Sequence, residues 1–238
     1  MTQLLSTTPR RLVVNADDFG FSTGINRGVI RGHERGIITS ASLMVRQPAA
    51  PAAGEYARAN SELGVGLHVD LGEWVYSEGE WRVRYSVVPV EDEVAIEAEV
   101  GRQLSRFRAL VGRDPGHLDS HQHVHRTEPV RQVMLRLARR LGVPLRGTDR
   151  GIPYCGQFYG QSERGSSCAA VVSASALVRL LEALPAGDTE LACHPARKAD
   201  FESAYRGERL LELRALCDPT VRQTVAAERI ELCRFSDL

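Results

Sequence analysis

Asp17 and Asp18 stand side by side shortly after the apolar run Leu12, Val13, Val14, and Gly20 follows them. Two carboxylates at the end of a buried strand repel each other and resist desolvation, so a cation there would offset the cost. A turn that caps the next helix is the plainer explanation for an isolated Asp-Asp pair. The histidines argue against it. His68 lies near the end of the stretch 64–70, His194 ends the stretch 190–194, and residues 117–125 carry His117, Asp119, His121, His123 and His125. One carboxylate and two imidazoles can hold a divalent ion and leave positions for water and substrate. The second carboxylate of the pair then suits a general base beside a bound water, and His194 suits a general acid on the other side. The same donor set also fits an iron(II) oxygenase. It further fits a non-catalytic, metal-containing sugar-binding protein that uses Trp74, Tyr76, Trp81 and Tyr85.

These residues need a scaffold that brings distant strand ends together. Strand and helix signals alternate along the chain. Strands are expected at 12–14, 37–45, 64–70, 143–147, 190–194 and 230–234, together with the 117–125 segment, which is not expected to stay regular throughout. Helices are expected at 23–35, 48–63, 91–111, 128–141, 173–184, 209–216 and 219–227. Ile96, Val100, Leu104, Phe107 and Val111 form an apolar stripe at steps of three and four. The aromatics of 72–89 flank the turn at 77–80 and read as a hairpin. This order indicates an α/β fold, a (β/α) barrel-like single domain over 1–238 with about seven parallel strands. The Gly-rich dinucleotide fingerprint is missing after the first strand. Asp17, Asp18, His68, the 117–125 cluster and His194 all fall at or just after expected strand ends, the edge where parallel α/β folds assemble their sites.

The chain has 238 residues and a formal net charge of zero, so no global field draws in nucleic acid. No apolar run reaches membrane-spanning length, and residues 1–10 lack the apolar core of a secretory signal. Five cysteines are scattered without metal-finger spacing, as expected for reduced thiols and a cytoplasmic location.

Taken together, Asn15-Ala-Asp-Asp-Phe-Gly20, Gly66-Leu-His68, His117-Leu-Asp-Ser-His-Gln-His-Val-His125, Phe158-Tyr-Gly160 and Cys193-His-Pro195 resemble the YdjC/ChbG carbohydrate deacetylases, in the same order over about residues 11–233. The resemblance implies metal-dependent removal of acetyl from an N-acetylated sugar, with chitooligosaccharides as the best known substrates. A related branch, HpnK, is linked with hopanoid synthesis and points to glycolipids. By motif position the metal ligands are Asp18, His68 and His121. Asp17 is the base, as in the similar pair of NodB-type deacetylases, and His194 is the acid. His123, His125, Arg146, Trp74 and Tyr159 are expected substrate contacts. One divalent ion is expected: the resemblance suggests Mg²⁺, whereas donor softness favours Zn²⁺. Expected partners are an N-acetylated saccharide and a second copy of the chain. The region 72–91 is short and rich in Trp and Tyr, unlike the chitooligosaccharide enzyme.

Overall fold

The computed structural model describes residues 8–148, 152–162, 166–203 and 205–238. Residues 1–7, 149–151, 163–165 and 204 lie outside them.

The central strand, β1 (Arg10–Phe19), is buried from Leu12 onward, which fits its unbroken apolar start. In chain order there follow α1 (Thr23–Arg35), β2 (Ser40–Leu43), α2 (Ala50–Ala59), β3 (Gly64–Val69), β4 (Gly72–Ser77) and β5 (Glu80–Ser86). Next come α3 (Glu93–Val111), β6 (Leu118–Ser120), α4 (Val130–Leu141), β7 (Tyr154–Cys155), α5 (Ala174–Glu182) and β8 (Gly187–Cys193). The chain ends with α6 (Gly207–Leu216), α7 (Pro219–Ala227) and β9 (Ile230–Leu232). Ser22 caps α1 by accepting from the Ile25 amide at 3.1 Å. Gly112 stops α3 in the left-handed conformation, φ 79°.

The strands pair in the order β6-β3-β2-β1-β8-β7, all parallel. β9 pairs Arg10 to Leu12 of β1, on the side that β2 takes over from Asn15. β4 and β5 form a separate antiparallel hairpin. The seven parallel strands are curled. In a flat sheet β6 and β8, four spacings apart, would lie roughly 19 Å from each other. Instead one guanidinium, that of Arg146, lies 2.9 Å from Asp119 on β6 and 2.7 Å from Glu190 on β8. The result is an incomplete barrel with polar groups across its mouth.

One expectation is corrected. The strand at 143–147 reduces to one bridge, Leu118 to Leu145, while the short β7 was not foreseen. The histidine segment is not a long regular strand. β6 stops at Ser120, and a 3-10 turn from His121 to Arg126 follows, with Gln122 and His123 in left-handed conformations. His117 therefore precedes β6, away from the strand's C-terminal edge. Its ring stacks on Phe235 at 4.0 Å, and a Cβ on Gly66 would come within 2.4 Å of it. Among the described residues no helix is long and apolar enough to cross a membrane.

Candidate active site

Regular alternation along β1 would send Asp17 and Asp18 to opposite faces. The strand instead breaks register between Ala16 and Phe19, and Asp18 adopts φ 63°. This left-handed residue turns both carboxylates inward. Oxygens of both lie within 4.8 Å of a ring nitrogen of His68. A non-glycine residue in this conformation is strained, and such strain gathers at functional sites.

Asp18, His68 and His121 form a three-donor cluster with all ligand atoms within 4.8 Å of one another. His121 Nδ1 is 3.2 Å and His68 Nε2 3.5 Å from the same oxygen, Asp18 Oδ1. The other ring nitrogen of His68 pairs with Asp119 Oδ1 at 2.8 Å, which fixes the ring and leaves Nε2 facing Asp18. Arg209 Nη2 holds the second oxygen of Asp18 at 2.5 Å. Burial pushes the Asp18 pKa up, but Arg209 and the two imidazoles outweigh it and hold the carboxyl well below its usual range. Burial likewise opposes ionisation of Asp17 and Asp119, and Arg146 together with His68 outweighs it for both. With Glu190 also held by Arg146, four carboxylates meet two guanidiniums, and the site is short of positive charge. In the protein alone His68 is drawn toward its protonated form. Burial lowers its pKa, yet Asp119 and then Asp18 lift it to about 10. A buried nitrogen of His121, Nε2, has no hydrogen-bond partner. The donor types, their convergence and the missing positive charge all fit a divalent cation.

Arg146 is the hub of the barrel mouth. Nη1 and Nη2 grip the two oxygens of Asp17 at 2.7 Å each, and Nε donates to Glu190 at 2.7 Å. Asn15 adds a hydrogen bond to Asp17 Oδ1 at 2.8 Å. His194 Nε2 lies 3.6 Å from Asp17 Oδ2. Burial lowers the His194 pKa to about 4, against the pull of Asp17, so the ring rests neutral near pH 7. Its backbone N–H donates to Glu212, which also accepts from the Tyr205 hydroxyl. That hydroxyl in turn accepts from the Gly160 amide at 2.7 Å.

A cavity of about 700 Å³ opens above these groups, with Asp17, Asp18, His68, His121 and His194 in its walls. His123, Trp74 and Tyr159 also line it. His123 Nε2 meets the Tyr154 hydroxyl at 3.1 Å, and the Tyr159 ring lies 5.1 Å from that of His194. His125 and Arg146 do not line the cavity, which corrects their expected role. His125 is buried between Ser120 Oγ (2.6 Å) and the Arg146 carbonyl (3.1 Å), so it braces the turn. Every terminal nitrogen of Arg146 is engaged by carboxylates, so the residue positions Asp17. Arg209 and Glu212 on α6, and Tyr205 just before it, were missed. Charged residues on a helix give no hint in sequence that they turn inward.

Residues 11–227 match the model of the YdjC-like protein family. A carbohydrate deacetylase of Geobacillus stearothermophilus is 32% identical over 250 residues, covering 96% of this chain and 98% of its own. A chitooligosaccharide deacetylase of Klebsiella pneumoniae is 31% identical, covering 96% of this chain and 99% of its own. Among solved structures, a candidate cellobiose-phosphate cleavage protein of Enterococcus faecalis superposes with a TM-score of 0.76 at 24% identity, over 97% and 99% of the two chains. A family 4 carbohydrate esterase of Streptomyces lividans gives 0.55 at 15% identity, over 95% and 92%. Both structures speak for the fold.

Proposed function

The chain belongs to the YdjC-like family, and on that premise we propose that it is a metal-dependent carbohydrate deacetylase that releases acetate from an N-acetylated sugar. The observation that carries this reading is the meeting of Asp18, His68 and His121 in the wall of a cavity, beside a second carboxylate, Asp17, kept ionised by Arg146. The deacetylase names of relatives that match 96% of the chain support hydrolysis over iron-dependent oxidation or sugar binding alone.

Asp18, His68 and His121 are the residues that would hold the ion. A divalent cation there supplies Lewis-acid polarisation of water and of the amide carbonyl. Asp17 takes the proton of the attacking water, and Arg146 keeps it in the basic, ionised form. His194 is neutral at rest, so the proton it delivers is gained during turnover, from Asp17 at 3.6 Å. An amine is a poor leaving group until protonated, and His194 donates to it as the C–N bond breaks. Water and the amide thus become acetic acid and the amino sugar, and the acid's proton passes to the more basic amine to give acetate and an ammonium sugar. Tyr159 and His123 contact the sugar under attack, and Trp74 contacts the part of the saccharide beyond it. The imidazole-rich donor set favours Zn²⁺ on softness, whereas the likeness to the deacetylase family favours Mg²⁺. Five free cysteines support a reducing, cytoplasmic setting.

Acetate release from a panel of N-acetylated mono- and oligosaccharides tests the reaction. Turnover of at least one is expected, and none across the panel would sink the proposal. The ligand set has its own test. His68→Ala and His121→Ala should each lower metal per chain to well below stoichiometric while the circular-dichroism spectrum stays that of the parent. Full occupancy in both variants would show that the ligands lie elsewhere.

A further inference from the structure

The turn that supplies His121 also grips the aromatic hairpin. Gln122, the next residue, extends its carboxamide to the backbone of Trp74 on β4. Its Nε2 donates to the Trp74 carbonyl at 2.8 Å, and its Oε1 accepts from the Trp74 N–H at 2.9 Å. Both polar groups of one peptide residue are thus satisfied by a single side chain, as a neighbouring strand would satisfy them. To reach this position Gln122 takes φ 50° and ψ 25°, a conformation that non-glycine residues adopt only when their surroundings hold them there.

The hairpin needs such a hold, because two isolated strands are marginal in water. Its base is tied to the barrel by the Tyr85 hydroxyl, which donates to Asp70 at 2.9 Å, and by Arg84, which donates to the Glu202 carbonyl at 2.7 Å. The tip bonds within itself, Arg82 to Glu78 at 2.6 Å. The Gln122 pairing lies at Trp74, between base and tip.

What the latch holds in place is an apolar surface. Pairing of Trp74 with Val83 and of Tyr76 with Trp81 puts these four side chains on one face. Trp74, Tyr76 and Trp81 line the same cavity as the Asp17–Asp18 pair, yet Trp81 is 60% and Val83 59% exposed. Uncovered aromatic faces suit the flat C–H face of a pyranose, which packs on them by dispersion while its hydroxyls stay in water. The acetamido ring under attack must sit over Asp17, Asp18 and His194 on the barrel edge. The hairpin is a separate sheet, so it meets what extends beyond that ring.

We propose that Gln122 is a specificity-determining latch that fixes the β4–β5 hairpin as a distal subsite for the further sugar rings of an N-acetylated oligosaccharide. The inference rests on the deacetylase reading for its kinetic arm only. The chain has two tryptophans, Trp74 and Trp81, both on the hairpin, so intrinsic tryptophan fluorescence reports the hairpin alone.

The experiment compares the parent with Gln122→Asn and Gln122→Gly. Both residues accept a left-handed backbone, so neither should harm the turn, and Asn keeps an amide that is one methylene too short to pair. Tetra-N-acetylchitotetraose should change the tryptophan emission of the parent in a saturable way, whereas N-acetylglucosamine should leave it unchanged. In both variants the KM for the tetrasaccharide should rise about tenfold with kcat changed less than twofold, which lowers the preference for tetrasaccharide over monosaccharide by the same factor. A parent whose emission ignores the tetrasaccharide, or variants that lose turnover of both sugars in parallel, would overturn the subsite. If the parent releases no acetate from either sugar, the deacetylase reading falls. The fluorescence titration then decides the subsite alone.

Discussion

Asp17→Asn is expected to retain its metal and its fold and to lose roughly 10²–10⁴-fold in kcat, the usual worth of a general base. Asp18→Asn is expected to lose metal and activity together. The two residues are neighbours, but their surroundings differ. Asp18 Oδ1 faces the two imidazoles at 3.2 and 3.5 Å. Asp17 is gripped by Arg146 at 2.7 Å and faces His194 at 3.6 Å. Asn is nearly isosteric with Asp but carries no charge, and its amide is not a useful base. In Asp17→Asn the guanidinium of Arg146 keeps Asp119 and Glu190, so the barrel mouth remains paired. Metal content and kcat measured on both variants separate the roles. Loss of metal from Asp17→Asn with retention in Asp18→Asn would mean that they are exchanged, and full activity in both would remove the site.

Arg146→Met should have the largest effect on stability. It leaves Asp17, Asp119 and Glu190 buried without their common partner. Breaking a buried ion pair from one side costs about 3–5 kcal/mol. For a chain of this size, that corresponds to a fall in Tm of roughly 6–20 °C. Activity should fall as well, because Asp17 loses the charge that keeps it ionised. The pH dependence has a definite sign. In the parent, Arg146 holds the pKa values of Asp17 and Asp119 below those of the unfolded chain, despite burial. Their contribution is present above the ordinary carboxylate range and is lost as pH falls through the lowered values. In the variant, burial is unopposed by Arg146 and their pKa values rise, so ionisation works against folding. The gap in Tm should therefore be widest at neutral pH and narrow toward pH ~4. A gap that is small at pH 7, or that widens on acidification, would contradict the hub role.

Much of this site could be read from the sequence because parallel sheets deliver the ends of their strands to one edge. The ends of β1, β3 and β8 announce themselves as short apolar runs that stop at Asp17, His68 and His194. The structure brings these residues together with His121. Other parts were hidden for physical reasons. His117, His121, His123 and His125 look alike in a period-two pattern, but β6 ends after three residues and the following 3-10 turn scatters them. His117 goes to the barrel interior, His125 braces the turn, and His121 and His123 reach the cavity. The period also fails at Asp18, where a left-handed residue turns both acids inward. Arg209 and Glu212 are one turn apart on α6, amid other charges, and only the packing of that helix against the barrel mouth makes them buried partners of Asp18 and His194. The barrel-like order of elements was legible. The brevity of β7 was not, since two residues carry no periodicity.

The most direct measurement is metal content and acetate release on one preparation, before chelation, after it, and after a divalent ion is restored. The expected result is about one ion per chain at the start, loss of acetate release with loss of the ion, and recovery of both together. Protein stripped of all detectable metal that still releases acetate at its full rate would contradict a metal-dependent deacetylase built on Asp18, His68 and His121.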